Sequence, residues 1–341
     1  MTGSASTMRN TYQLTAALII VCVVSMIVPV IGSEPQTKKT FPTEKMLVAA
    51  SILPLGDFAR NVGGDYVTVE VIIPPGASPH TFEPTPGMMR KLVHTRVFVL
   101  NGVGLEFWSE KVIKAIESPD LVVVRSTEGL EIIHHIGSNE PQDNAHEKTV
   151  ETKQHASTEE KSAGQHRRLV HLHEEGNPHV WLDPVNAIHQ AEKIRDAFIT
   201  ADPLHSEAYK RNAKNYIEKL KKLDDEIRHK VHTFSSKKFA AFHAAYTYFA
   251  RRYGLEQVAV VEKSPGREPS AREIARIIKD IRKSRVKVIF AEPQFSSKAA
   301  KVIAIESGVQ FAYLDPLGSD VNDTYLKLMH ANLKELEKAL K

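Results

Sequence analysis

Cysteine is nearly absent from this chain: there is one in 341 residues, Cys22. It lies inside an apolar run, Leu14 to Ile31, so the chain beyond that run has none. Disulfides and thiolate metal sites are thereby excluded there, and any metal must be held by His, Asp or Glu. An excess of one charge is lacking too. The net charge is +4, spread along the chain without a block of basic and aromatic residues, which argues against a nucleic-acid partner. Signatures of hydrolytic chemistry are missing. No Gly-x-Ser-x-Gly elbow occurs, and His173-Glu174-Glu175 runs on to Gly176 rather than into a His-Glu-x-x-His helix. Asn101-Gly102-Val103-Gly104 carries two glycines of a dinucleotide fingerprint, but Phe107 stands where the third belongs, so it is not read as a phosphate site.

What is present is an ordinary globular composition, 42% hydrophobic and 25% charged, in a chain long enough for two cores. Leu14 to Ile31 follows Arg9 with no acid before it and ends near the small residues Gly32 and Ser33, as a secretory signal peptide does. A retained membrane anchor is the alternative, because the run is near spanning length. Cys22 follows Val21, not the small residue that usually precedes a lipid-attachment cysteine. The expected organisation is a signal peptide or anchor over 1–33, a flexible leader over 34–45 and an N-terminal α/β lobe over 46–203. A connecting helix over 204–232 and a C-terminal α/β lobe over 233–341 complete it.

Strand-like and helix-like segments alternate in both lobes, which predicts mostly parallel sheets flanked by helices. Strands are expected at Met46–Ser51, Val67–Ile73, Arg96–Leu100 and Leu121–Val124, with helices at Pro54–Val62, Pro86–Leu92 and Glu106–Ile116. Near 134–176 apolar periodicity disappears, and the stretch is expected to be a disordered loop. It holds seven of the sixteen histidines: His134, His135, His146, His155, His166, His171 and His173. Such a composition favours loose metal capture, with a solvated loop as the plain alternative. A helix then spans Val185–Ile199. From Leu204 to Val231, Tyr216, Ile217, Leu220, Leu223, Ile227 and Val231 keep the spacing of one buried helical face, about 40 Å long at 1.5 Å per residue. The second lobe repeats the alternation, with a capping box at Ser270-Ala271-Arg272-Glu273 and a closing amphipathic helix.

Two histidines sit in proline-stiffened loops. His80 lies among Pro74, Pro75, Pro79 and Pro84, after the Val67–Ile73 strand, and His179 follows Pro178. His243 and Asp315 stand at the C-terminal ends of predicted strands in the second lobe, where open α/β sheets place ligands. Each of the four, taken singly, also reads as a surface residue. Together, three imidazoles and a carboxylate suit tetrahedral Zn²⁺. Glu292 and Asp183 are candidates for orienting those imidazoles, with a structural role as the alternative.

Several motifs occur in one order: Ser78-Pro79-His80-Thr81-Phe82-Glu83-Pro84-Thr85-Pro86, Asn177-Pro178-His179-Val180-Trp181-Leu182-Asp183-Pro184, Phe242-His243-Ala244-Ala245-Tyr246 and Leu314-Asp315-Pro316-Leu317. This order resembles the zinc/manganese-binding solute-binding proteins of ABC importers, the cluster A-I group, from Met46 to the C-terminus. The resemblance implies two α/β lobes joined by one long rigid helix. It also implies an extracytoplasmic or periplasmic metal carrier, not an enzyme, that delivers its ion to an ABC permease. Carried onto this sequence, the implied metal ligands are His80, His179, His243 and Asp315. Manganese-preferring relatives typically have a carboxylate where His243 stands, and zinc-uptake relatives tend to carry a His-rich loop before the second ligand. Both features imply zinc, with manganese or iron binding, or a metal-dependent surface adhesin, as alternatives. A monomer is expected, with membrane association through the N-terminal segment. Because imidazoles must be neutral to bind, affinity is expected to fall below about pH 6.5.

Overall fold

A computed structural model describes residues 44–341 except 117, 135–175, 263–266 and 321–322. The expected signal or anchor segment, the leader up to residue 43, the His-rich stretch over 135–175, and the Ser264-Pro265-Gly266 turn lie outside the described residues. Among the described residues no helix is long and apolar enough to cross a membrane.

The first lobe is built on β1 (Met46–Ala50), β2 (Val67–Val71), β3 (Val97–Leu100) and β4 (Val122–Arg125). All pairings are parallel, in the order β2-β1-β3-β4. Every residue of β3 is buried, as expected of a central parallel strand covered on both faces. The β-branched, apolar pattern of β2 runs on to Ile73. Regular pairing stops at Val71, yet the N–H groups of Ile72 and Ile73 still reach Ala50 O and Ser51 O at 2.9 and 3.0 Å. Helix α1 (Leu53–Gly63) carries Pro54 in its first turn and ends where Gly64 takes a positive φ of 56°. Helix α2 (Pro86–Lys91) is capped by Thr85, whose Oγ1 accepts from Met88 N. Helix α3 starts later than its pattern suggests, at Ser109–Ile116. The cause is Glu106, whose carboxylate turns back to accept from Asn101 N at 2.7 Å and Gly102 N at 2.9 Å.

Helix α4 (Pro184–Ala201) follows, capped by Asp183. Helix α5 (Ser206–His232) has 27 residues and buries Tyr209, Tyr216, Leu220, Leu223, Ile227 and Val231 along one stripe. The second lobe carries β5 (Lys238–Ala241), β6 (Glu256–Val260), β7 (Val288–Ala291) and β8 (Gln310–Tyr313), again all parallel, in the order β6-β5-β7-β8. Its helices are α6 (Thr247–Tyr253), entered through a 3-10 turn at Ala244–Tyr246, α7 (Ala271–Ser284), α8 (Lys298–Ser307) and α9 (Tyr325–Leu340). The expected capping box opens α7, with Ser270 and Glu273 bonded reciprocally. Gly254 closes α6 in the left-handed conformation.

Helix α5 does more than connect. One continuous hydrophobic cluster runs from the first sheet (Val48, Phe98) through α5 (Tyr216, Leu220, Ile227) to one face of the second sheet (Phe239, Phe290) and α9 (Met329, Leu336). The other face of the second sheet packs under its own cluster, with Ile277, Ile281 and Ile303. Two buried carboxylates tie the lobes to this spine. Asp57 of α1 accepts from Tyr216 Oη and from the backbone N of Tyr325, each at 3.1 Å. Burial pushes its carboxyl above the ordinary value, against the pull of those donors. Asp224 of α5 accepts from Arg252 Nε and Nη2 at 2.7 and 2.8 Å and from Tyr253 Oη at 2.8 Å. Burial works against its charged form, but these donors hold it below the ordinary value. Arg252 Nε also lies 3.1 Å from Asp183 Oδ1, so this cation links both lobes to the spine.

Because each sheet has the same strand order, each has one point where the chain's progress across the sheet reverses: between β1 and β3, and between β5 and β7. Loops leaving the C-terminal ends of those strands are where an α/β sheet of this kind can hold a ligand.

Candidate metal centre

The first candidate residue comes from the loop after β2. Ser78 O accepts from Thr81 N and Phe82 N at 3.3 and 3.1 Å, a turn that brackets His80. Phe82 anchors the far side edge-on against Trp108, ring centroids 6.1 Å apart. His80 itself is half-buried.

The second is reached through Asn177 and Pro178, just ahead of a 3-10 turn at Val180–Leu182. Asn101 Nδ2 donates to Pro178 O at 2.9 Å, so the loop after β3 supports this approach. His179 is buried beside Trp181, whose indole Nε1 donates to Pro316 O at 2.7 Å. Asn177 Oδ1 lies 2.8 Å from His179 Nδ1.

The third, His243, follows β5 by two residues, and Glu292 follows β7 by one, so they flank the reversal point of the second sheet. Both are buried, at 6% and 2% exposure. His243 Nδ1 lies 2.5 Å from Glu292 Oε1. Burial pushes the Glu292 carboxyl up, and the adjacent imidazole pulls it back. Phe295 covers the outer side of the His243 ring at 5.3 Å.

These three loops bring three Nε2 atoms together. His179 Nε2 is 3.2 Å from His80 Nε2 and 3.0 Å from His243 Nε2, and the three residues' ligand atoms all lie within 4.8 Å of one another. Two ligands of one tetrahedral ion with bonds of about 2.0–2.1 Å stand about 3.3 Å apart, so the spacing is that of one coordination shell. An acceptor set behind Nδ1 leaves the Nε2 lone pair aimed into the cleft. Glu292 does this for His243 and Asn177 for His179.

Asp315 is not part of that group. Its Oδ1 accepts from Leu317 N and Gly318 N, each at 3.0 Å, and from Gln294 Nε2 at 2.7 Å, which shapes the turn after β8. The cleft is lined instead by the next residues, Pro316 and Leu317. Of the two carboxylates expected to orient imidazoles, Glu292 sits against one. Asp183 serves as the cap of α4, accepting from Val185 N at 2.8 Å, and as an ion-pair partner of Arg252. Sequence reasoning missed Asn177. The available signal was an Asn two residues before a candidate histidine, the reach of an Asx turn.

Residues 48–339 match the family model described as "Zinc-uptake complex component A periplasmic". Among curated proteins, the chain is 32% identical over 307 residues to "Zinc-binding protein AdcA" of Streptococcus pyogenes, a match covering 88% of this chain and 57% of that protein. The chain thus spans little more than half the length of these streptococcal relatives. It is 30% identical over 303 residues to "High-affinity zinc uptake system protein ZnuA" of Bacillus subtilis, covering 87% of this chain and 88% of that protein. Among solved structures, a crystal structure of ZnuA superposes with a TM-score of 0.70 at 28% identity, covering 87% of this chain and 99% of that one. The laminin-binding protein of Streptococcus agalactiae, described as having adhesin and metal-transporting activity, superposes at 0.69 with 28% identity, covering 87% of this chain and all of that one (100%).

Proposed function

The chain belongs to the family of periplasmic zinc-uptake components, and on that premise we propose that it captures Zn²⁺ between its two lobes and delivers it to an ABC permease. The ion is cargo, and it is held outside the cytoplasm. His80, His179 and His243 bind it through Nε2, with Asp315 as the fourth ligand once its turn yields a carboxylate oxygen. The observation that carries this reading is the convergence of three Nε2 atoms at coordination-shell spacing on the cleft between the lobes.

An all-imidazole triad is softer and less anionic than one containing a carboxylate, which favours Zn²⁺ over Mn²⁺. Transport, not catalysis, is its chemistry, because four protein ligands leave no open position for a substrate. The lobe boundaries proposed are 46–203 and 233–341, with the helical spine between them.

Competitive metal binding on the purified chain tests this. Tight one-to-one Zn²⁺ binding that outcompetes Mn²⁺, is abolished by His243→Ala and weakened by Asp315→Ala, and survives deletion of 135–175 is the expected result. Equal or tighter Mn²⁺ binding, or full Zn²⁺ affinity in His243→Ala, overturns it. An adhesin reading predicts laminin binding that persists in His243→Ala.

A further inference from the structure

Asn177 is 1% exposed, and each of its four polar groups has a partner. Its backbone N donates to Ile133 O at 2.8 Å, and its backbone O accepts from Tyr248 Oη at 2.8 Å. Its side-chain Nδ2 donates to Ala244 O at 2.7 Å and to Thr247 Oγ1 at 3.2 Å, both in the second lobe and directly after His243. Its Oδ1 accepts from His179 N at 3.0 Å and faces His179 Nδ1 at 2.8 Å.

This environment leaves the amide one orientation. Ala244 O can only accept, so the NH₂ must face it; the backbone N–H of His179 can only donate, so the oxygen must face that side. With an amide oxygen fixed 2.8 Å from His179 Nδ1, that ring nitrogen must carry the proton, and Nε2 is left with the lone pair. The orientation is imposed from the second lobe, while the histidine it acts on belongs to the first.

We propose that Asn177 is a positioning residue of the metal site. Anchored on the second lobe beside one ligand, it selects the metal-binding tautomer of another, so that a competent His179 exists only while the lobes are apposed. Separating Ala244 from Asn177 frees the amide to rotate, and the contact that keeps the Nε2 lone pair of His179 on the cleft is lost. The inference rests on the zinc-capture reading for the identity of the ion, but its tautomer part does not depend on it.

The experiment has two readouts. Nitrogen-15 long-range correlation spectra of zinc-free wild-type protein at about pH 8, where free imidazoles are neutral, should show His179 protonated at Nδ1; protonation at Nε2 overturns the proposal whatever any variant does. Chelator competition with Zn²⁺ should then show Asn177→Ala binding about 10–100-fold more weakly, the usual cost of losing a partner behind a ligand, with Nδ1 no longer the exclusive proton site. Tyr248→Phe is the control. It removes the hydrogen bond to the backbone of the same residue, together with the one Tyr248 Oη accepts from Ile133 N, without touching the amide. It should lower the melting temperature while keeping the wild-type tautomer and losing less affinity than the lower end of that range. A Tyr248→Phe loss equal to that of Asn177→Ala, or wild-type affinity in Asn177→Ala, assigns Asn177 a purely structural role and overturns the proposal. Failure of wild-type protein to bind Zn²⁺ refutes the zinc reading instead, and the tautomer result still decides this one.

Discussion

The two sheets share one strand order, yet their reversal points are put to opposite uses. In the first lobe the gap between the ends of β1 and β3 is filled by the lobe's own carboxylate. Glu106 accepts from Ser51 Oγ at 2.5 Å and from the backbone N–H groups of Asn101 and Gly102, so these three donors are taken up within the lobe. In the second lobe the equivalent gap holds His243 with Glu292 Oε1 2.5 Å behind its Nδ1, and Nε2 faces the other two histidines. The first lobe brings its two candidate histidines, His80 and His179, from longer loops laid over that sealed end. A repeated fold therefore makes a site by leaving one copy open, and the other serves as the wall it is built against.

Four substitutions break or sharpen this contrast. His243→Ala removes the ligand at the open end and should weaken Zn²⁺ binding by more than about 100-fold, beyond the cost of losing an outer partner; chelator competition measures it. His80→Ala removes a ligand from the sealed lobe's half-exposed loop, where water can take the vacated position. Its loss should be about 10-fold smaller than that of His243→Ala and appear chiefly as faster dissociation in stopped-flow release. Glu292→Gln should cost about 10-fold in affinity, the low end for such partners, because an amide oxygen still accepts from Nδ1. Glu106→Gln should leave Zn²⁺ affinity at the wild-type level while costing about 1 kcal/mol of stability by denaturant unfolding at neutral pH. Loss of affinity there would mean that the first lobe's reversal point is not merely sealed.

The sealed end also has a pH signature. Burial raises the Glu106 carboxyl above its ordinary value, so the folded state holds its proton more firmly than the unfolded chain does. The stability associated with this group is fully present below the ordinary carboxyl value and is lost as pH rises through the raised one. Melting temperatures of Glu106→Gln should therefore fall less steeply than wild type as pH climbs from about 4.

Much of this was legible in the chain because it is local. Parallel strands buried on both faces write themselves as runs such as Val97-Phe98-Val99-Leu100, and the stripe of α5 is a one-dimensional pattern. The three histidines were legible through their proline-stiffened or strand-end settings. What escaped depends on partners far away in sequence. Glu106 lies in a segment with good helical periodicity, and only the donors of Ser51, Asn101 and Gly102 explain why α3 begins after it. The amide of Asn177 has no visible task until Ala244 is brought beside it. Asp315 stands at a strand end as expected, but its own backbone neighbours compete for its oxygen, which no spacing rule foresees.

Asp57 and Tyr325 meet across 268 residues of sequence. A chain that emerges N-terminus first exposes α1 early, with a carboxylate whose partner at the head of α9 does not yet exist. Until then Asp57 has Tyr216 but not Tyr325, and the bond to Tyr325 forms only when nearly the last residue has been delivered; closing so distant a contact is slow.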